Sequence, residues 1–132
     1  MSIIVSVEPT LLVKNILTSA AYYREKLGFT YDNLIGDPPH FCIVYRDGCS
    51  LMLSEAPPQH SPTTNSHIVK TLWDVYISVD DVTGLYEELQ VSGAAISSEL
   101  KMTHYGVKEF RVRDHDGHIL VFGEASHTSA GA

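Results

Sequence analysis

The stretch LLVKNILTSAAYYREKLG at residues 11–28 has a counterpart in VYISVDDVTGLYEELQVSG at residues 75–93. Each stretch runs from an apolar, strand-like segment into a helical pattern that ends at a glycine. Val13 and Val79 are 66 positions apart, and the two terminal glycines are 65 positions apart. An offset this constant indicates two copies of one unit, and a half-length unit must bury its apolar face against its copy. We therefore expect a cleft between the copies to be the functional site.

The same order of elements is predicted in both copies. Each has a strand, a helix (about 17–27 after Asn15, about 82–92 after Asp80 or Asp81), a further strand (about 29–31 and 95–97) and a hairpin. Each unit is therefore βαβββ. We expect a single domain, 1–132, with units at about 5–55 and 71–124, a proline-rich linker at about 56–70 and a mobile tail at 125–132.

Composition and charge narrow the class of protein. The chain has 132 residues, 44% of them apolar and 19% charged, and no apolar run approaches the roughly 20 residues that span a bilayer. The start, MSIIV, has no basic segment and no cleavage site, so we expect a cytoplasmic protein that does not enter a membrane. A net charge of −7 disfavours nucleic acid and favours cationic ligands.

The two cysteines are predicted to be free thiols. A two-residue turn at Asp47-Gly48 would place Arg46 opposite Cys49 and Cys42 opposite Leu53, so the sulfur atoms are out of register for a disulfide. A reducing compartment is consistent with that arrangement.

Strand alternation separates a covered face from an open face. Leu11 and Val13 in the first copy, and Val75, Ile77 and Val79 in the second, should meet the helices. The opposite parity should line an open groove with apolar walls and few polar groups, as in small-molecule sites. These open-face residues are Glu8, Thr10, Leu12, Ile43, Tyr45, Met52, Asp74, Tyr76, Ser78, Glu109, Arg111, Arg113, Ile119 and Val121.

The chain resembles the vicinal oxygen chelate superfamily, which includes glyoxalase I, extradiol dioxygenases and bleomycin resistance proteins, and is most similar to the bleomycin-resistance branch. The resemblance covers about residues 5–124 and rests on residues 11–16, 22–23, 26–29, 73–76, 79–82, 105–106, 109–110 and 113–118. It implies an α+β fold in which two βαβββ units form a cupped, mixed eight-stranded sheet with helices on the outside. It also implies a homodimer, and the open strand edge at residues 3–7 would favour pairing.

Metalloenzymes of this superfamily place their ligands at positions that correspond here to Glu8, Met52, Asp74 and Val121. A thioether and an isopropyl group are poor ligands for a hard or borderline divalent ion, so we expect no metal and no other cofactor. Glu8 and Asp74 are then either solvated groups, a carboxylate pair for a cationic ligand, or a proton shuttle. The seven histidines lack metal-site spacing and are predicted to lie at the surface.

The other candidate residues also have two interpretations. Arg111 either anchors a ligand carboxylate or pairs with Glu109, and the aromatic residues either stack on a ligand or belong to the core. The predicted ligand-binding residues are Glu8, Phe41, Tyr45, Met52, Asp74, Tyr76, Tyr105, Arg111 and Val121.

Two functions follow from these residues. The first is a non-catalytic protein that sequesters an aromatic or cationic compound, as a bleomycin resistance protein does, and thereby confers antibiotic resistance. The second is a metal-dependent lyase, isomerase or dioxygenase whose ligands have moved to Glu8, Asp74 and a loop histidine such as His104.

Overall fold

Two similar strand–helix–hairpin units make up the fold in the computed structural model, which describes residues 1–125. The first unit contains β1 (Thr10–Val13), α1 (Ile16–Leu27), β2 (Phe41–Arg46) and β3 (Cys49–Glu55). The second contains β4 (Val75–Val79), α3 (Val82–Ser92), β5 (Ala95–Met102), β6 (Lys108–Arg113) and β7 (Ile119–Glu124), and a short helix, α2 (Asn65–Ile68), lies in the connection between them. The repeat read from the sequence is thus present.

The strands form two mixed sheets with matching topology. The first sheet has the order β1-β3-β2 and the second the order β4-β7-β6-β5. In each, the opening strand runs parallel to the last strand of its unit, with Thr10 opposite Met52 and Tyr76 opposite Val121. The hairpin strands are antiparallel. The α+β class built from two related units is confirmed, and the strands are divided between two mixed sheets.

The described residues contain seven strands, and the predicted strand at about 29–31 is reduced to a single bridge. Thr30 and Tyr45 exchange two backbone hydrogen bonds of 2.8 Å. The chain then bends at Asp32, whose carboxylate accepts a 2.8 Å hydrogen bond from the Tyr45 hydroxyl. The pairing therefore covers one residue, and the first sheet has three strands rather than four.

Both long helices begin and end where the sequence predicted. The Asn15 side chain accepts a hydrogen bond from the Thr18 N–H at 3.0 Å, and Asp81, not Asp80, does the same for Gly84. Each helix ends at a glycine in the left-handed conformation, with φ of 74° at Gly28 and 84° for its counterpart after α3.

A single apolar core contains residues from both units. In β1, Leu11 and Val13 are buried whereas Leu12 is 50% exposed, so the predicted alternation is confirmed. The covered faces of both sheets meet the buried sides of α1 and α3 in this core. Between β2 and β3, Arg46 lies opposite Cys49 and Cys42 opposite Leu53, and both cysteines are free, as predicted.

The second unit differs from the sequence prediction mainly in β5. This strand, predicted at about 95–97, continues to Met102 with two register shifts against β6, so the loop before β6 spans 103–107. The predicted tail, apart from Ala125, lies outside the described residues. In the part of the chain that the structure describes, no helix has the length and apolar character needed to cross a bilayer.

Candidate functional site

A cavity of about 600 Å³ lies on the open face of the second sheet. Its floor is formed by β5, β6 and the start of β7, and its walls by the connection between the units and by the 103–107 loop. Segments far apart in the chain therefore enclose it. The lining residues include Ser66, Lys70, Thr71, Ser98, Lys101, Thr103, His104, Tyr105, Glu109, Arg111, Arg113 and Ile119.

One buried carboxylate organises this face. Glu109 is 4% exposed, and its two oxygens accept hydrogen bonds from the hydroxyls of Tyr76 at 2.9 Å and Tyr105 at 2.5 Å. Tyr76 comes from β4 and Tyr105 from the 103–107 loop, so the carboxylate links the far edge of the sheet to the loop. Gly123 makes this possible, because a Cβ atom there would collide with the Tyr76 hydroxyl.

The carboxylate and burial act together on the two phenols. Burial, the hydrogen bond to Glu109 and its negative charge raise the pKa of Tyr76 to about 12. The pKa of Tyr105 is also raised, mainly by its hydrogen bond to Glu109. Both tyrosines therefore stay protonated at neutral pH and act as hydrogen-bond donors to the carboxylate.

Arg111 lies beside the same carboxylate but does not pair with it. Its guanidinium donates a 2.9 Å hydrogen bond to the Thr71 carbonyl and lies 5.6 Å from the centre of the Trp73 ring. Val121 sits between Tyr76 and Arg111 in register and is fully buried. Four of the predicted binding residues, Tyr76, Tyr105, Arg111 and Val121, are thus brought to one face.

The Asp74 carboxylate binds the backbone of its own chain instead of facing the cavity as a free group. One of its oxygens accepts the Asn65 N–H at 3.0 Å and the other accepts the Ile119 N–H at 2.8 Å. Both bonds hold the connection between the units against the start of β7. The side chain therefore supports the wall of the cavity rather than lining it.

The remaining predicted residues lie on the first unit. Tyr45 lines a separate cavity of about 300 Å³ with Asp32, Asn33, Ile35 and Ile43, all from the first unit. Phe41 and Met52 are half-buried on this sheet, and Glu8 is exposed ahead of β1. This cavity and the one on the second sheet are each lined by the open face of one sheet only. The two cavities therefore do not form the single groove that was expected between the two open faces.

A larger cleft, of about 860 Å³, lies between the two units along the β4 edge. Its lining includes Val7, Pro9, Tyr76 and the carboxylates of Asp47, Asp80, Asp81 and Glu88. Glu88 pairs with Arg46 through two bonds of 2.8 and 2.9 Å, which lowers the pKa of Glu88. Only Tyr76 among the predicted binding residues lies in this cleft, so we place the candidate site on the second sheet.

The family's metal positions do not fit a divalent ion in this chain. Met52 supplies a thioether and Val121 a buried isopropyl group, neither of which is a suitable ligand. Both oxygens of Asp74 already hold backbone N–H groups. Among residues 1–125 one group of three potential ligands lies close together, Asp114, Asp116 and His118, and it includes none of these positions.

That group is a structural turn. The Asp114 carboxylate accepts hydrogen bonds from the hydroxyl of Tyr23 at 2.7 Å and from the backbone N–H of His118 at 2.9 Å, and it lies 2.8 Å from His118 Nδ1. Asp116 accepts from the Ser19 hydroxyl at 2.6 Å. His118 is 3% exposed, so its predicted surface location is wrong. The Asp-X-Asp-Gly-His spacing, which brings an aspartate and a histidine together across a turn, was the signal for it.

The family model for the Glyoxalase/Bleomycin resistance protein/Dioxygenase superfamily matches residues 4–122. A comparison with curated proteins found no match.

Solved structures of similar fold include proteins with different activities. The bleomycin-binding protein from bleomycin-producing Streptomyces verticillus, in complex with copper(II)-bleomycin, is 21% identical over 96% of this chain and 100% of its own, with a TM-score of 0.73. A glyoxalase-related enzyme from Clostridium phytofermentans is 16% identical over 95% and 98%, with a TM-score of 0.74. A bleomycin resistance determinant encoded on transposon Tn5 is 18% identical over 93% and 99%, with a TM-score of 0.71. Identities this low show the fold alone.

Proposed function

Because the chain belongs to the glyoxalase/bleomycin resistance protein/dioxygenase superfamily, we propose that it is a small-molecule-binding protein that sequesters an aromatic compound without a metal ion, and so confers resistance to it. The observation that carries this proposal is the cavity on the second sheet, which Tyr105 lines and where Trp73 lies beside the lining residue Arg111. Aromatic side chains around a concave site with a few fixed polar groups suit a planar organic ligand.

The cationic ligand favoured by the net charge of the chain remains a prediction. The carboxylates that would attract it line the larger cleft between the units rather than this cavity. A ligand of that charge would therefore be held near Asp80 and Asp81.

We also propose that the protein is a homodimer. The N-terminal segment carries four apolar side chains that are 81–90% exposed, namely Ile3, Ile4, Val5 and Val7. Exposed apolar residues next to an open strand edge favour pairing with a second chain. The open face around Tyr45 and the cavity on the second sheet are separate in one chain, and a second copy is the simplest means of closing either one.

The metal-dependent enzyme has less support from the geometry. Asp74 is occupied by backbone hydrogen bonds, Glu8 is exposed ahead of β1, and His104 packs edge-on against Tyr105 at 5.0 Å. None of the three belongs to the one close group of potential ligands in residues 1–125. Stoichiometric nickel, zinc, manganese or iron in protein purified without chelator would favour the enzyme over the binding protein.

Calorimetry tests the binding function directly. The protein is titrated with a panel of planar and glycopeptide antibiotics, bleomycin among them, and at least one should bind tightly at one molecule per site. The same ligand should bind at least about tenfold more weakly to Tyr105→Ala, which removes an aromatic wall of the cavity. Glu87→Ala, an exposed change on α3, is the control. Failure of the whole panel, or equal binding by both variants, would contradict the proposal.

A further inference from the structure

We propose that the ligand of the cavity on the second sheet carries an anionic group, such as a carboxylate or sulfonate, which is bound by Arg111, Arg113 and Lys101. This inference rests on the proposed binding function and adds the charge of the ligand to it. It also reverses the expectation from the net charge of the chain.

The cavity concentrates positive charge in an acidic protein. Lys70, Lys101, Arg111 and Arg113 all line it, which is four of the nine lysines and arginines in a chain of net charge −7. Its lining contains one carboxylate, Glu109. Basic groups gathered in one concave site attract anions even when the whole molecule is negative, because a local field outweighs distant screened charges.

These four cations are not neutralised by the protein. Within residues 1–125, none of them forms a salt bridge. Glu109, the one carboxylate in the lining, lies opposite Lys101 across the β5–β6 pair and two residues before Arg111. Both of its oxygens instead accept hydrogen bonds from Tyr76 and Tyr105. The two phenols do not remove the negative charge of Glu109, but one carboxylate offsets only one of the four cations, so the lining stays net positive.

Arg111 is held in place to receive a ligand. One of its nitrogens donates to the Thr71 carbonyl, and Trp73 lies beside the guanidinium. Among the described residues the guanidinium makes this one hydrogen bond, so most of its five N–H donors are available. A fixed guanidinium binds a planar carboxylate or a sulfonate through two parallel hydrogen bonds.

Hydroxyl donors complete the surroundings of the proposed anion. Ser66, Thr71, Ser97 and Ser98 line the same cavity as the four basic residues. Tyr105 lines it as well, next to His104. A ligand with an anionic end among the basic side chains and a planar body against Tyr105 would use both kinds of group.

Three naphthalene probes that differ in charge test the inference. They are 2-naphthalenesulfonate, 2-naphthol and 2-naphthylmethylammonium, each titrated calorimetrically at pH 7.5, with quenching of Trp73, the single tryptophan, as a second readout. We expect the sulfonate to bind at least about tenfold more tightly than the ammonium compound. Arg111→Gln and Lys101→Gln should each weaken the sulfonate by about threefold to tenfold. Lys14→Gln removes the same charge from an exposed position outside the cavity and should change the affinity for the sulfonate less than twofold.

The outcomes separate this inference from the binding function. Equal or tighter binding of the ammonium compound, or equal effects of the three variants, would overturn the anionic site and leave the binding function standing. If no probe binds while an antibiotic in the panel does, the inference is again wrong and the function stands. If neither probes nor panel bind, both are wrong. Lys101→Gln changes an exposed side chain, so the test remains decisive if Arg111→Gln does not fold.

Discussion

Asp74, which the sequence predicted to bind a ligand, has both of its carboxylate oxygens engaged by the backbone. Its carboxylate receives two backbone N–H groups, one from the start of α2 and one from the start of β7. Strand parity places the side chain on the open face, but parity does not show what occupies its oxygens. The function of an open-face polar residue is therefore decided by contacts that are distant in the sequence.

We predict that Asp74→Ala lowers the free energy of unfolding by about 1–3 kcal/mol, because the partly buried Ile119 N–H loses its acceptor and the exposed Asn65 N–H loses a hydrogen bond. Asp74→Asn should cost less, since its amide oxygen can still accept one of the two bonds. Urea denaturation measures both changes, and Glu87→Ala on an exposed helix position should stay within about 0.5 kcal/mol of the wild type. A stable Asp74→Ala protein would mean that these bonds contribute little.

Tyr76 provides a second prediction at the residue scale. Its pKa of about 12 results from burial first and from Glu109 second. In Glu109→Gln the negative charge is removed, so the phenolate is less disfavoured and the pKa of Tyr76 should fall. It should stay above its ordinary value of 10.0, because burial remains.

Ring-carbon NMR of labelled tyrosine, with the Tyr76 signal assigned from Tyr76→Phe, follows this titration. Tyr45 serves as an internal control, because its pKa is raised by Asp32 and not by Glu109. An unchanged Tyr76 pKa in Glu109→Gln would show that the hydrogen bond observed between the two side chains does not persist in solution.

At the scale of elements, buried polar side chains connect the turn before β7, at residues 114–118, to α1 through hydrogen bonds. Tyr23 on α1 donates to Asp114, which also binds the backbone and the ring of His118. Burial alone would lower the pKa of His118, but the hydrogen bond to Asp114 and the nearby aspartate charges outweigh it, so the pKa is raised above 6.5. Burial and the charge of Asp114 raise the pKa of Tyr23 as well.

The raised pKa of His118 fixes the direction of a pH effect. Because folding favours the protonated form of His118, this form contributes stability that is fully present below the unfolded pKa of about 6.5. That contribution is lost as pH rises through the higher pKa of the folded state. The stability advantage of wild type over His118→Asn should therefore shrink between pH 6 and pH 9. Denaturant unfolding across that pH range measures this stability difference. If His118→Asn does not fold, an NMR titration of the wild type still tests the prediction, and a His118 pKa below 6.5 would contradict it.

The elements themselves were largely predictable from local sequence. Asn15, Asp81 and the two terminal glycines fix both helices through bonds within a few residues, and strand parity follows from side-chain alternation. The predicted second strand of the first unit was not, because its backbone pairing is limited to Thr30, and Asp32 instead accepts a hydrogen bond from the Tyr45 side chain. The cavity could not be predicted from local patterns either, since its walls depend on contacts such as the hydrogen bond from Arg111 to Thr71, which lie 40 positions apart.

The whole molecule leaves exposed the two surfaces that a second copy could use. One is the open face of the first sheet around Tyr45, and the other is the apolar N-terminal segment. The Pro9 carbonyl already accepts a hydrogen bond from the Met52 N–H at 2.9 Å, so the segment leaves the first sheet directly from a paired strand. Ile3, Val5 and Val7 in this segment are 82%, 86% and 81% exposed.

We predict that replacing Ile3, Val5 and Val7 by serine weakens self-association by more than about tenfold, because each apolar side chain contributes about 1–3 kcal/mol when it is buried in an interface. Light scattering coupled to size-exclusion chromatography should give a dimer for the wild type at micromolar concentration and a monomer for the triple variant. Val91→Ser on α3 removes an apolar side chain that is also 90% exposed and should leave the dimer intact. A monomeric wild type would defeat the dimer, and a dimeric triple variant would show that the two chains meet through another surface.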